Sequence, residues 1–262
     1  MRTLAAGVIA LVVAFALLGP WLVRQDPAAQ QLPLRLAGPS WQHPFGLDEL
    51  GRDVLARLAT GARISLLVGV TVVGVSAAIG VLVGGVIGYA GGWIDQAVSR
   101  TMDLLLAFPG LLLAIALVAV LGPGVSHVVL ALCVIGWVSY ARLVRGQVLR
   151  IRELDFIQSA RAIGAAPGRV LIRHILPGTL TVVSVQATLG MAGAVLAEAS
   201  LSFLGLGVQP PTPSWGAMLD AGRSHLLDAP HLAIAPGAAI AFVIVSFNLA
   251  GDVLRERIDR RI

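Results

Sequence analysis

The sequence contains no lysine, and its one cysteine lies within an apolar run. All 19 basic residues are arginine. A P-loop needs a lysine to reach the nucleotide phosphates, so this chain is not itself a P-loop ATPase. Cys133 can form neither a disulfide within the chain nor a cysteine-based metal site, and we interpret it as a small buried hydrophobic residue. Neither His-Glu-x-x-His nor Gly-x-Ser-x-Gly occurs. We therefore predict no catalytic residue, no bound metal and no cofactor.

Charged residues are scarce, whereas hydrophobic residues are abundant. Charged side chains make up 13% of the 262 residues, hydrophobic ones make up 57%, and the mean hydropathy is +0.87. These values lie far outside those of a soluble domain. The apolar residues also form long uncharged runs, whereas a soluble core is built from short periodic ones. The composition predicts an all-α integral membrane protein.

About six stretches are long enough to cross a bilayer, which takes about 20 helical residues. The uncharged run Leu104–Ala141 is nearly twice that length, and Gly122, Pro123 and Gly124 at its middle predict a turn between two spans. Glycines at positions 80, 84, 85 and 88 are spaced for close helix packing. The predicted spans are Leu4–Val23, a helix within Ile64–Ile94, Leu104–Leu121, Val125–Ala141, Gly178–Ala197 and Leu232–Gly251.

The distribution of arginines predicts the orientation of the spans. If the N-terminus is cytoplasmic, the outer side receives only Arg24, Arg35, Arg52, Arg57, Arg63 and Arg223. The inner side then holds about twice as many, which predicts that both termini are cytoplasmic. Because the arginines form no single basic stretch, the net charge of +5 indicates topology, and we expect no nucleic-acid partner. We also expect the first span to be retained, since no obvious cleavage site follows it.

Three segments between or after the spans are too long to be simple turns. The first, residues 24–63, is predicted to lie outside and to end in an amphipathic interfacial helix, with Leu50, Val54 and Leu58 on one face. This helix either anchors the chain or contacts another protein. A five-helix core is expected from residue 64 to residue 251, followed by a cytoplasmic tail of residues 252–262.

The second segment, residues 142–177, is predicted to be cytoplasmic. Asp155 and Gln158 form a capping pattern for a short helix with Phe156, Ala160 and Ile163 on one face. Small residues 164–166 break this helix, and a second short helix is predicted from Pro167 to Pro177. Two short helices at such an elbow can insert into a groove on a partner and transmit a rigid-body movement. The alternative is an amphipathic loop lying on anionic lipid.

The stretch DFIQSARAIGAAPGRVLIRHILP resembles the EAA loop of importer-type ABC transporter permeases. Gln158, Ser159 and Ala160 fall on the Glu-Ala-Ala positions, Gly164 on the family's glycine and Pro177 on the final proline. Gln158 lacks the carboxylate of the family's glutamate, but its side chain can still serve the helix cap. The resemblance implies that the residues coupling the chain to an ATPase are Phe156, Gln158, Ser159, Ala160, Ala162, Gly164, Ala165, Arg173 and Pro177.

The third segment, the external loop of residues 198–231, contains EASLSFLGLGVQPPTPSWGAML. Together with GLDELGRDVLARL and NLAGDVLRERID, it resembles the C-type permease of the dipeptide, oligopeptide and nickel importers, from about residue 26 onward. Candidate residues for an outer gate or for docking a binding protein are Glu198, Phe203, Trp215, Asp220 and Arg223. Trp215 is explained equally well by an aromatic belt at the membrane interface.

The resemblance implies a type I importer permease in a bacterial inner membrane. Its expected partners are a homologous second permease, two cytoplasmic subunits that use ATP and Mg²⁺, and an extracytoplasmic substrate-binding protein. The expected substrate is a di- or oligopeptide, with nickel or another small solute as the alternative. A proton-driven transporter is disfavoured because no charged residue lies near the centre of a predicted span. His43, His225 and His231 are interpreted as solvated or interfacial residues.

Overall fold

The computed structural model describes residues 2–23 and 25–259, and it describes side chains from residue 7 to residue 257 within those ranges. The predictions made for Arg24 and for the tail residues 260–262 fall outside the described residues. Two short turns, a 3₁₀ turn at Leu32–Leu34 and a π turn at Leu171–Ile175, accompany the α-helices. The α-helices are α1 (Arg2–Leu22), α2 (Val54–Ala90), α3 (Gly92–Ala107), α4 (Gly110–Leu121), α5 (Val125–Ile151), α6 (Asp155–Ala162), α7 (Pro167–Val170), α8 (Leu176–Phe203), α9 (Trp215–Arg223) and α10 (His231–Asp259).

Glycines allow α2 and α5 to pack with their backbones in close contact. A Cβ atom at Gly80 or Gly84 would overlap the backbone of Ala141, and one at Gly88 would lie 3.0 Å from the Cβ of Val148. Small residues at a crossing let helices approach closely, which stabilises helix pairs in lipid. The predicted packing role of these glycines is confirmed. Helices α8, α10 and α1 complete the bundle around this pair.

The third predicted span, Leu104–Leu121, is wrong as a continuous helix. Helix α3 ends at Ala107, α4 begins at Gly110, and their axes are bent by 86°. Phe108 has extended backbone angles (φ −94°, ψ 141°) because the ring of Pro109 disfavours a helical conformation in the residue before it. The turn at Gly122–Gly124 is confirmed, and both glycines adopt positive φ values.

Within the described residues, four helical stretches are long and apolar enough to cross a membrane on their own. These are α2, α5, the continuous stretch Pro167–Phe203, and His231–Arg257. The pair α3 and α4 passes the same test together, while Gly7–Leu22 is a shorter apolar helix. Each predicted span therefore has a helical counterpart, although α5 and α8 extend well into the segments predicted as loops.

The predicted interfacial helix before the second span does not exist as a separate element. Helix α2 begins at Val54, with the Asp53 side chain accepting a hydrogen bond from the Ala56 amide at 2.8 Å, and it continues unbroken to Ala90. Leu50 precedes the helix. Arg52, Asp53 and Arg57 lie off the predicted apolar face, yet they are buried. The prediction failed because Arg52 and Arg57 pair with Asp48 inside the fold, and Asp53 contacts His43 there.

The bundle has two different ends. At one end, residues 155–175 contain α6, a bend, α7 and the π turn; we call them the elbow. At the other end, residues 25–53 and 204–230, including α9, cover the helices; we call them the cap. Helix α2 runs from the cap to the elbow, and α8 returns from the elbow to the cap.

Candidate functional site

One face of the elbow is anchored in the core of the bundle. Ile157 of α6, Val170 of α7 and Ile175 of the π turn are each fully buried and belong to the main hydrophobic cluster. The helix does not end at Pro177 as predicted. Instead, the chain passes through the π turn directly into α8, whose first turn contains Pro177. A movement of the elbow is therefore continuous with a movement of α8.

The rest of the elbow is exposed and includes two large apolar side chains. Phe156 is 53% exposed and Ile163 is 87% exposed. They were predicted to share a face with Ala160, but Ala160 is half-buried and Ile157 is the buried residue of α6. Ser159 and Ala162 are also exposed. The elbow is thus an ordered element on which Phe156 and Ile163 are exposed.

Gly164 terminates α6 in a Schellman motif. Its φ is +85°, its amide donates to the Arg161 carbonyl at 2.9 Å, and the Ala165 amide donates to the Ala160 carbonyl at 3.1 Å. Close approach of a neighbouring backbone does not explain the glycine, because nothing lies within 4 Å of a Cβ placed at this position. The glycine is required by the left-handed backbone conformation, which side-chain-bearing residues seldom adopt.

Gln158 does not cap α6 as predicted. The N-cap position is Leu154, whose side chain makes no capping hydrogen bond. The side-chain amide of Gln158 instead donates to the Arg152 carbonyl at 3.1 Å. Arg152 in turn donates to the carbonyl of Gly88 at 3.0 Å, and the Arg161 guanidinium lies 5.0 Å from the centroid of the Tyr89 ring. These contacts tie the elbow to the last turn of α2. Arg173 is exposed on the π turn.

At the cap end, Glu198 cannot be the docking residue that we predicted. It is only 1% exposed, because α8 continues past it to Phe203. Its carboxylate accepts hydrogen bonds from Ser65 of α2 at 2.8 Å and from Ser202 at 2.7 Å. A buried carboxyl group needs such donors, since the loss of water is otherwise costly. Glu198 therefore joins α2 to α8.

Trp215 is likewise internal. It is 2% exposed, and its indole N–H donates to the Leu58 carbonyl at 3.0 Å, so neither docking nor an aromatic belt explains it. The other three candidates of the external loop lie together. The Arg223 guanidinium lies 2.9 Å from an Asp220 oxygen and 5.5 Å from the centroid of the Phe203 ring. Arg223 is exposed and Phe203 is partly exposed, so they remain available at the surface.

A buried network in the cap was not predicted from the sequence. The Asp48 carboxylate accepts from the Arg52 side chain at 2.6 Å and lies 3.4 Å from Arg57. The same carboxylate accepts from the amides of Leu50 and Arg52, each at 2.9 Å. The signal was an aspartate three residues before a glycine, typical of a turn that folds back on itself. Gly51 has a φ of +70° there.

A groove opens between α5, α8 and α10 at the elbow end. Its volume is about 1170 Å³, and its walls carry three arginines and no aspartate or glutamate. Polar side chains along it include Gln147, Thr181, Ser184 and Gln186. In the part of the chain that the structure describes, no cluster of three His, Cys, Asp or Glu side chains could hold a metal ion. The chain thus offers a bare apolar elbow beside a cationic groove.

Comparisons with known proteins agree with this arrangement. The family described as "Binding-protein-dependent transport system inner membrane component" matches residues 80–262. The chain is 50% identical over 225 residues to the glutathione transport system permease protein GsiD of Shigella dysenteriae serotype 1 (strain Sd197). The alignment covers 86% of this chain and 74% of that protein. The GsiD proteins of Shigella sonnei (strain Ss046) and Escherichia coli O157:H7 are 49% identical with the same coverage.

Proposed function

Because the chain belongs to the family of binding-protein-dependent transport system inner membrane components, we propose that it forms one half of the translocation pathway of an ATP-driven importer of small peptides. The family inferred from the motifs is confirmed. The chain is a permease subunit without catalysis of its own, as its relatives are. The substrate, the pairing with a second permease and the orientation are parts of the proposal.

The observation that carries the proposal is the contrast between the two faces of the elbow. Three fully buried residues fix it to the bundle, while Phe156 and Ile163 stay exposed on its other side. Apolar side chains held in water by an ordered element are typical of a surface that a partner covers. In the proposal, each of two cytoplasmic ATPase subunits receives one such elbow in a groove. ATP and Mg²⁺ are bound and used by those subunits.

The proposed mechanism follows from the connection between the elbow and α8. When ATP draws the two ATPases together, each moves its elbow as a rigid body. The π turn transmits this movement to α8, and the contacts of Arg152 and Arg161 transmit it to α2. Rearrangement of these helices would open the pathway alternately to an external binding protein and to the cytoplasm.

We propose that the elbow, and with it both chain termini, faces the cytoplasm. The support is the concentration of arginines in and beside residues 142–173. Two arginines counted on the outer side, Arg52 and Arg57, are buried against Asp48. The outer side therefore has fewer unpaired arginines than the sequence count indicates. This increases the excess of arginines on the inner side, from which the orientation is inferred.

Peptide is the preferred substrate, and nickel is the alternative. The support for a peptide is that the similar proteins are named for glutathione, a tripeptide. Ligand binding by the cognate binding protein, measured by calorimetry with glutathione, unmodified dipeptides and nickel, tests the choice. Retention of nickel alone would replace the peptide proposal with the alternative.

Co-purification and uptake test the proposed assembly. The tagged chain, expressed with its second permease and ATPases, should retain both ATPases in mild detergent. In proteoliposomes with the loaded binding protein, it should take up peptide only when ATP is present on the ATPase side. A variant with Phe156→Ser and Ile163→Ser should lose the ATPases. Leu227→Ser is the matched control, because Leu227 is fully exposed in the cap at the opposite end. Uptake without any ATPase would refute the proposal.

A further inference from the structure

The groove between α5, α8 and α10 differs from the other exposed surfaces of the helices. On α2, the most exposed side chains include Leu67, Val70 and Leu82, as expected for contact with lipid. On α8, Thr181 and Ser184 are exposed one turn apart and face into the groove. Polar residues within membrane-spanning helices normally face a protein interior or water. The groove is therefore a side of this chain that faces water or another protein rather than lipid.

The charges around the groove have one sign. Arg150 of α5 and Arg257 of α10 lie on its walls, which contain no acidic side chain. Neither of these two arginines takes part in any ion pair among the side chains that the structure describes. By contrast, Arg142 and Arg145 on the same helix are paired with Asp103 and Asp95. Arg150 and Arg257 thus bring to the groove positive charge that no described acidic side chain pairs with.

We infer that this groove is the inner mouth of the solute pathway and that Arg150 and Arg257 make it selective for solutes that carry a carboxylate. The inference rests on the proposed function. A cleft with charges of one sign and low-dielectric walls focuses the electric field and concentrates ions of opposite sign. Guanidinium groups also bind carboxylates through short, charge-assisted hydrogen bonds. Every peptide with a free C-terminus provides such a group, and an acidic peptide provides more than one.

The field in the groove can be measured without transport. Since Cys133 is buried and is the sole cysteine of this chain, Gln147→Cys gives the chain one accessible thiol, on the groove wall, and its labelling in the full complex in detergent is measured on this subunit. We expect anionic sulfonatoethyl methanethiosulfonate to react with it about tenfold faster, relative to a small exposed thiol, than the cationic trimethylammonium reagent does. Arg150→Gln with Arg257→Gln should strongly reduce this preference. Arg100→Gln, an exposed arginine outside the groove, should leave it unchanged.

A second experiment compares the uptake of one acidic tripeptide with the uptake of the same peptide amidated at its carboxyl groups. In proteoliposomes containing the complete importer, the double arginine variant should lower uptake of the free acid about tenfold relative to uptake of the amide. If the two arginines instead serve anionic lipid headgroups, uptake of both peptides would fall equally, and that result would overturn the inference. The comparison within one variant also separates selectivity from misfolding, which would affect both peptides.

The two arms separate the inference from the proposed function. A thiol at position 147 that does not react, or that reacts equally with both reagents, overturns the inference even where peptide uptake is normal. Anion-selective labelling in a complex that moves neither peptide upholds the cationic groove and refutes peptide import.

Discussion

The cap and the elbow differ in whether the side chains of their motifs find contacts within the chain. In the cap, Trp215 and Asp48 find their partners within the chain, and Glu198 does so where α8 meets the cap. In the elbow, one face is buried in the bundle, and Phe156 and Ile163 are 53% and 87% exposed. Both segments contain motifs that resemble the same family. The difference teaches that Glu198 and Trp215 of the cap motif serve the folding of this chain, whereas Phe156 and Ile163 of the elbow motif are left exposed, as the proposed contact with a partner requires.

This comparison predicts that substitutions at the two ends fail differently. A change in the cap should lower the free energy of unfolding of the isolated chain. A change on the bare face of the elbow should leave that free energy unchanged and impair the assembled transporter.

The largest loss of stability is expected for Trp215→Ala. The substitution empties a fully buried site and removes the hydrogen bond to the Leu58 carbonyl, so the free energy of unfolding should fall by about 3–5 kcal/mol. Denaturant titration of the chain in detergent measures this quantity. Trp41→Ala is the matched control, since Trp41 is fully exposed in the same cap and should cost little. Equal effects of the two changes would remove the claim that Trp215 anchors the cap.

A smaller loss is expected for Glu198→Ala. The change leaves the hydroxyls of Ser65 and Ser202 buried without their acceptor, which costs about 1–3 kcal/mol. Glu198→Gln retains an acceptor oxygen of nearly the same shape and should lose less. The same unfolding titration compares the two variants. Identical behaviour of alanine and glutamine would mean that the hydrogen bonds contribute nothing.

A third substitution, Gly164→Val, lies in the elbow. Gly164→Val forces a β-branched residue into a left-handed conformation, which costs about 1–2 kcal/mol locally and distorts the end of α6. We expect the variant to insert into the membrane and to fold, but to couple ATP hydrolysis poorly to uptake. The ratio of peptide imported to ATP hydrolysed measures coupling.

Two controls separate backbone strain at Gly164 from crowding. Asparagine tolerates the left-handed region, so Gly164→Asn should retain most of the coupling. Gly168→Val changes a nearby glycine that has open space around it and no positive φ, so it should also be mild. If Gly164→Asn were as damaging as valine, a partner that approaches this glycine closely would explain the result better than its φ.

Much of this comparison could be predicted from the sequence, and its failures have physical causes. The positions of the elbow and of Gly164 follow from local signals: a proline, small residues and a short apolar period. The break before Pro109 was also readable from the chain, through the restriction that a proline places on its predecessor.

The roles of Glu198 and Trp215 were not readable in this way. Both became candidates because they lie in the external-loop motif, and both were wrongly assigned to the surface. Their partners are distant in sequence: Ser65 lies 133 positions from Glu198, and Leu58 lies 157 positions from Trp215. Only the folded bundle brings such pairs together. By contrast, the bareness of Phe156 and Ile163 results from the absence of a neighbour, which no local pattern encodes.

The smallest effect on stability is expected for Arg161→Gln. The guanidinium lies 5.0 Å from the centroid of the Tyr89 ring at the surface, and exposed cation–π contacts contribute about 0.5–1 kcal/mol. Arg161 contacts α2 of the same chain, so the variant tests a connection within the chain and not the contact with a partner. If α2 moves with the elbow, the variant should bind the ATPases normally yet import less peptide per ATP hydrolysed. Arg169→Gln, in the same elbow and also exposed, controls for the loss of one positive charge. Full coupling in the Arg161 variant would leave the π turn into α8 as the route by which the elbow moves the bundle.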